Sequence, residues 1–253
     1  MATPEEQDLE GQLATMRRIR DEFGRVMLSY RFAMQEVRSK VEVLRQEYQE
    51  LSTYNPIEHI SSRLKSAESV VDKVLRKGLP RTMDSVRSIP DIAGVRVTCS
   101  FISDTYAIFE ALTGQPDIAV ITVKDYIDNP KPNGYRSLHA VVEVPVFLST
   151  GAVRVPVEVQ LRTVAMDAWA SLEHKIFYKY RGEVPQDVIR RLGVAAEAAD
   201  KLDREMEDLH EIVHGPRGEP DPAPLDPAVS DEVVRRLLDL FPGGRESAQT
   251  SNP

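Results

Sequence analysis

Apolar side chains recur along the first fifth of the chain at Leu9, Leu13, Met16, Phe23, Tyr30, Val37, Val41, Leu44, Tyr48 and Leu51. This spacing is close to 3.5 residues and predicts a long amphipathic helical region over residues 1–53. Gly24 inside it marks either a break or a helix–helix crossing. Asn55–Gly78 reads as a second helix with two unlike faces. Lys65, Ser69 and Lys73 are spaced i, i+4, i+8 with Arg76 near the same line, while Leu64, Ala67, Val71, Val74 and Leu75 project to the other side. The period then changes to two. Val95, Val97, Cys99 and Phe101 alternate with Arg96, Thr98 and Ser100, and Val155, Val157, Val159 and Leu161 alternate with Glu158, Gln160 and Arg162. Both runs predict strands with one apolar and one polar face. A helix holding Trp169 and the pair Glu173–His174 follows the second strand. Further on, Leu202, Met206, Leu209 and Val213 form another apolar stripe. Gly215–Val229 is a Pro-rich linker, Asp231–Phe241 a short amphipathic helix, and residues 242–253 a tail expected to be disordered.

Length and composition narrow the class. A chain of 253 residues with 42% hydrophobic content is expected to form one globular domain with appendages. The first ten residues are acidic and polar, so no signal peptide is expected, and no apolar run approaches membrane length. The single cysteine permits no internal disulfide, and the expected compartment is the cytoplasm. Charge is uneven. Residues 61–90 carry seven Lys/Arg against three Asp/Glu, a net of +4 in a chain of −8. One basic stripe in an acidic protein focuses its field on a small anion rather than on a long polyanion. The stripe reads as a phosphate clamp, with a solvated helix face as the bland alternative.

The polar strand faces add candidate chemistry. Glu158, Gln160 and Arg162 in one row of a half-buried strand are costly to desolvate, which points to the floor of a polar site. Asp91, at the mouth of the first strand, and Glu158 offer two hard oxygen ligands from two strands. That suits Mg²⁺, which takes one or two carboxylates and leaves its other positions to phosphate and water. Asp91 alone would serve equally as a strand-start turn residue. The loop Lys124–His139 is broken by Asn129-Pro130, Lys131-Pro132 and Asn133-Gly134, and it carries Lys124, Lys131, Tyr135, Arg136 and His139. An aromatic ring among cations suits a stacked base and its phosphates. A surface turn and a satisfied strand histidine are the plainer readings. No Gly-x-x-x-x-Gly-Lys-[Ser/Thr] loop occurs, which argues against a P-loop kinase, and no Cys/His cluster argues for zinc.

Four segments in order carry a resemblance: R-L-K-x-x-x-S-x-x-x-K (Arg63–Lys73), D-I-A-G-V-R-V (Asp91–Val97), N-G-Y-R-S-L-H (Asn133–His139) and V-E-V-Q-L-R-T-x-A-M-D-x-W-A-x-x-E-H (Val157–His174). Together they resemble the synthetase domain of RelA/SpoT-type (p)ppGpp synthetases, most closely the stand-alone small alarmone synthetases. The resemblance implies an α/β (α+β) fold, a mixed central sheet flanked by helices and related to nucleotidyltransferases. It would occupy residues 54–182, with C-terminal helices over 183–214 and a tail over 215–253. It implies Mg²⁺-dependent transfer of the β,γ-pyrophosphate of ATP to the 3′-oxygen of GDP or GTP. By motif, Arg63 and Arg96 would sandwich adenine, and Lys65, Ser69 and Lys73 would hold the ATP phosphates. Asp91 would bind the metal, and Glu158 would draw the 3′-proton and also touch the metal. Tyr135 would stack on guanine, with Lys124, Lys131, Asn133, Arg136, His139 and Gln160 around the acceptor. Asp167 stands where some relatives have Asn and could tune the choice of acceptor. The resemblance further implies a homotetramer, whose central cleft could take a regulatory nucleotide or single-stranded RNA. The chain has no His-Asp dipeptide, the mark of the hydrolase domain of long relatives, so synthesis without degradation is expected. Two rivals stand beside this. A nucleotidyltransferase would normally show a Gly-Ser followed by an Asp-x-Asp pair, which the Asp91 strand lacks. A catalytically silent nucleotide sensor or RNA-binding module would not need the full set of Arg63, Lys65, Asp91, Tyr135 and Glu158.

Overall fold

The computed structural model describes residues 4–178, 185–215 and Arg236. All but Gly215 of the expected linker, all but Arg236 of the Asp231–Phe241 segment, and the tail lie outside the described residues. Five strands form one mixed sheet: β1 (Ile57–Leu64), β2 (Ala93–Cys99), β3 (Ala119–Asp125), β4 (Leu138–Leu148) and β5 (Gly151–Thr163). Their order is β1-β2-β5-β4-β3, with β2 and β5 parallel and every other pair antiparallel. Among the described residues six helices accompany them: α1 (Pro4–Leu51), α2 (Ala67–Arg76), α3 (Met83–Arg87), α4 (Ile102–Thr113), α5 (Val164–Tyr178) and α6 (Gln186–His214).

The alternation in β2 and β5 sorts the sheet into two faces as the sequence predicts. Val95, Val97 and Cys99 of β2, Val155, Val157, Val159 and Leu161 of β5, and Ala140, Val142, Val144 and Val146 of β4 are all buried. Val26, Tyr30, Ala33, Val37 and Val41 of α1 and Ile108 and Leu112 of α4 complete this core. Burying each large aliphatic side chain contributes roughly 1.5–3 kcal/mol, so one helix laid across the strands anchors the fold. Cys99 lies in this layer, and burial pushes its thiol well above the ordinary range, which leaves it inert. The opposite face carries Arg96, Glu158, Gln160 and His139.

Two local expectations are overturned. α1 runs without interruption through Gly24, which is exposed and meets no neighbouring chain. Only its second half lies on the sheet, while Leu13, Met16 and Ile19 are exposed. The second correction concerns Asn55–Gly78, which is a strand followed by a short helix rather than one helix. β1 is an edge strand, so its outer residues can be polar. A bulge between Ile57 and His59 places the buried pair Ile57 and Ile60 three residues apart. Apolar residues at i and i+3 imitate a helical stripe. Ser66 then caps α2 by accepting from the Ser69 backbone N–H, and Val70 and Val74 face the core, while Val71 and Leu75 are exposed. No helix among the described residues is long and apolar enough to cross a membrane.

α6 closes one end of the sheet. Trp169 of α5 donates its indole N–H to the Leu192 carbonyl at 3.1 Å, and Ala170, Leu192 and Ala196 pack around it. Deeper along α6, buried Asp203 accepts from Thr163 Oγ1 at 2.6 Å, tying the helix to the end of β5. Burial, reinforced by Asp200 and Glu207, raises the Asp203 carboxyl to about 6, against the lowering effects of Thr163 and Arg136. Because the folded protein holds this proton more tightly than the unfolded chain, its stabilising effect is full below about pH 4 and is lost as pH rises through about 6. Asp203→Asn keeps the bond to Thr163 and removes the buried charge. Urea unfolding should show the variant more stable than the parent at pH 8, by up to about 3 kcal/mol, with the difference shrinking toward zero near pH 4.

Candidate active site

The parallel pairing of β2 with β5 sets Gly94 opposite Glu158, Arg96 opposite Gln160 and Thr98 opposite Arg162. On the outer side Ser61 of β1 pairs with Arg96 and Arg63 with Gly94. Arg63 and Arg96 are therefore diagonal neighbours on one face, within reach of a flat group placed between them. Here two cavities meet. One, of about 230 Å³, is lined by Ser61, Ser62, Arg63, Lys65, Arg96 and Gln160 together with Asp91 and Glu158. The other, of about 620 Å³, includes Lys73, Lys124, Tyr126, Lys131 and His139, again with Asp91 and Glu158. Two carboxylates thus stand on the boundary between two cation-lined spaces.

Asp91 is held by two lysines. Lys65, in the turn between β1 and α2, donates to the Asp91 carbonyl at 2.7 Å and to Oδ2 at 2.9 Å, and Lys73 of α2 donates to the same Oδ2. Burial alone would raise this carboxyl, but Lys73 and Lys65 outweigh it and hold it below the ordinary value. Asp91 Oδ1 is buried and has no hydrogen-bond partner. Such an oxygen is costly unless a cation or water meets it. Among the described residues no group of three or more His, Cys, Asp or Glu could hold a metal. An ion placed here would rest on Asp91 Oδ1 and Glu158 and draw its other ligands from elsewhere, a donor set of hard oxygens that fits Mg²⁺ with phosphate and water.

Glu158 accepts from Gln160 Nε2 at 2.8 Å, and its Oε1 lies 3.6 Å from His139 Nδ1. Burial pushes this carboxyl up and the nearby Asp91 charge adds to that, but His139 and Gln160 prevail and keep it below the ordinary value. It is therefore an ionised acceptor at neutral pH. Tyr135, on the loop before β4, bonds His139 Nε2 through its hydroxyl at 2.7 Å. The rings of Tyr126, Tyr135 and His139 meet edge to face, and Lys131 Nζ lies 4.6 Å from the Tyr126 centroid and 4.5 Å from that of Tyr135. Gly134 shapes this loop. Its φ of +88° is open to glycine alone at little cost, and a Cβ there would lie 2.5 Å from Ala196 Cβ of α6.

The other named residues fall into place unevenly. Asn133 Nδ2 donates to Glu173 of α5 at 3.1 Å. Asp167 Oδ1 lies 3.2 Å from both Arg96 and Arg162, neutralising two guanidiniums that would otherwise repel. Ser69 is exposed on the first turn of α2 with its hydroxyl 2.9 Å from that of Ser66. Arg136 turns away from both cavities, donating to the Ile127 carbonyl at 2.6 Å and pairing with Asp200. Gly94 lines the smaller cavity, but a Cβ there would meet only ordinary contacts, so no close backbone approach demands it. Ser61, Ser62 and Tyr126 were not singled out by sequence. Tyr126 had a signal, since it follows Asp125, whose Oδ1 accepts from the Ile127 and Asp128 N–H groups and turns the chain. Ser61 and Ser62 had none once that segment was read as helix.

The profile of a region found in RelA and SpoT proteins matches residues 62–183. GTP pyrophosphokinase YwaC of Bacillus subtilis is 46% identical over 192 residues, covering 76% of this chain and 91% of that protein. GTP pyrophosphokinase YjbM of the same organism is 38% identical over 188 residues, covering 74% and 88%. Among solved structures, small alarmone synthetase 1 from Bacillus subtilis bound to its product pppGpp superposes with a TM-score of 0.71 at 38% identity, covering 76% of this chain and 98% of that one. The chain belongs to the RelA/SpoT synthetase family, and its fold is that of the small alarmone synthetases.

Proposed function

We propose that this chain makes (p)ppGpp by moving the β,γ-pyrophosphate of ATP to the 3′-oxygen of GDP or GTP. The observation that carries this reading is the pair of cation-lined cavities that share Asp91 and Glu158. Two nucleotides occupying them would meet at the carboxylates. Arg63 and Arg96 would flank adenine in the smaller cavity, with Lys65 at its phosphates. Lys73 stands at the boundary beside Asp91, where the transferred group would pass. Lys124, Lys131, Tyr126, Tyr135 and His139 would take the acceptor. Relatives named GTP pyrophosphokinase, and a small alarmone synthetase of this fold solved with its product pppGpp, support the same assignment.

In the reaction the acceptor O3′ attacks Pβ of ATP, the bond between Pβ and the oxygen bridging to Pα breaks, and AMP leaves with that electron pair. The 3′-proton passes to Glu158, ionised and poised at the boundary. Transfer of this kind needs in-line placement and neutralisation of spreading charge more than covalent help. Lys65, Lys73, Arg63 and Arg96 supply fixed positive charge. Mg²⁺, held by Asp91 Oδ1 with Glu158, would neutralise the phosphate oxygens further. The substrates are those of the cytoplasm, which is the compartment proposed.

Glu158→Gln keeps the shape and removes the base, so turnover should fall about 10²-fold or more while nucleotide binding survives. Asp91→Asn should lose Mg²⁺-stimulated activity. Incubating the pure protein with ATP, Mg²⁺ and each of GMP, GDP and GTP, with the products identified by mass spectrometry, tests the assignment. Near-parental turnover in either variant would remove that residue from the chemistry.

Arg63→Ala should raise KM for ATP and spare that for the acceptor. Tyr135→Ala should do the reverse, by about 10-fold to 100-fold for a stack worth roughly 1–3 kcal/mol. Steady-state kinetics with each substrate varied separately checks both, and a reversed pattern would exchange the two pockets.

A homotetramer is also proposed. Leu13, Met16 and Ile19 of α1 and Leu202, Met206, Leu209 and Val213 of α6 are exposed in the single chain, and seams of this length favour self-association. Light scattering at low micromolar concentration should give four times the 28.4 kDa chain mass. A monomer mass would overturn it.

A further inference from the structure

Arg162 is the most buried charge on the polar face, with only 5% of its side chain exposed, and it touches neither of the two cavities. Its hydrogen bonds nonetheless lead to the catalytic carboxylate by two routes. Nη2 donates to the Tyr135 hydroxyl oxygen and, at 3.0 Å, to Gln160 Oε1, while Nη1 donates to Asp167 at 3.2 Å. A guanidinium has donors and no acceptor, so the sense of each bond beyond it is settled by chemistry. Gln160 must present its oxygen to Arg162, which leaves its Nε2 to donate to Glu158 Oε2 at 2.8 Å. Tyr135 must accept from Arg162, which leaves its own hydrogen for His139 Nε2 at 2.7 Å. A neutral His139 ring then carries its hydrogen on Nδ1, the atom 3.6 Å from Glu158 Oε1. That separation exceeds a hydrogen bond, but the N–H dipole turns its positive end to the carboxylate.

We propose that Arg162 is a positioning residue for pyrophosphate transfer, anchoring two donor arms that converge on the two oxygens of Glu158. One arm runs through Tyr135 and His139, the other through Gln160. The first arm passes through the ring assigned to the acceptor base, so the acceptor platform and the proton acceptor share one anchor. This rests on the synthetase reading above. A guanidinium with a merely structural role would tie β5 to α5 through Asp167 and leave Glu158 and the tautomer of His139 alone.

Arg162→Lys keeps the charge facing Asp167 but cannot fork to Tyr135 and Gln160 together. Tyr135→Phe keeps the ring and breaks one arm. Arg162→Lys should lower kcat about 10-fold or more with KM for ATP within about twofold. Tyr135→Phe should lower kcat less. The double variant should fall no further than Arg162→Lys alone, since the arm that Tyr135→Phe breaks already depends on the Arg162 anchor. Additive losses, or parental kcat in Arg162→Lys, would overturn the proposal. A second measurement needs no turnover. The ¹⁵N shifts of His139 should report hydrogen on Nδ1 in the parent at pH 8 and a gain of the Nε2-H form in Tyr135→Phe. An Nε2-H ring in the parent, or no change in the variant, would also overturn it. If the parent forms no alarmone, the synthetase reading fails while the ¹⁵N result still decides the wiring. If Arg162→Lys does not fold, Tyr135→Phe and the ¹⁵N shifts carry the test.

Discussion

The parallel register between β2 and β5 is the constraint on which the site depends. It aligns Gly94 with Glu158 and Arg96 with Gln160, and leaves Val95, Val97 and Cys99 of β2 and Val159 and Leu161 of β5 in the core. A slip of one residue would carry Glu158, Gln160 and Arg162 into the layer under α1 and Val157, Val159 and Leu161 into water. The valines of β5 that fix the register are fully buried, so the same apolar packing that holds the sheet also holds the polar row in place. Parallel strands require a crossover, and here the chain between them supplies α4, β3, the Tyr135 loop and β4. The acceptor-side elements are thus built by the connection that the parallel pair demands.

The polar face concentrates charge in a small volume, and its pairing follows one scheme. Four of the cations near the sheet share an acidic partner from a different element: Lys65 and Lys73 on Asp91, Arg96 and Arg162 on Asp167. Partners drawn from separate elements make the ion pairs double as crosslinks, between α2 and the start of β2 and between α5 and the two central strands. Buried pairs gain little net stability once desolvation is counted. Their value lies in orientation. Phosphate groups arriving among these cations meet positive charge already fixed in place, which lowers the reorganisation that transfer would otherwise require.

Much of this was legible in the sequence because the relevant periods are strict. β2 and β5 alternate without interruption on their central residues, so Arg96, Glu158, Gln160 and Arg162 could be assigned to one face from spacing alone. The long apolar repeat of α1 was equally plain. What failed was β1, where a bulge and an edge position produced i, i+3 apolar spacing, so that Arg63 and Lys65 were assigned to a helix. The motif set Lys65 at the ATP phosphates, and its bond to Asp91 was not anticipated. Arg136 shows another limit. Its neighbours Tyr135 and His139 face the site, yet it turns to Asp200, a partner 64 positions away that no local pattern announces. Tertiary pairs of this kind depend on where α6 lands, and that was not readable from its stripe.

The landing of α6 has a further consequence at Gly134. The glycine lies against Ala196, so the width of the helix at this one point sets how closely the acceptor loop can approach the sheet. Positions 134 and 196 therefore behave as a single steric unit. A larger residue at 196 would lift the loop carrying Asn133 and Tyr135 while leaving every strand intact. Acceptor preference could then drift through changes in a helix that contributes no side chain to either cavity. In this protein, the search for residues that tune nucleotide choice extends past the pocket walls to the helix that presses on them from behind.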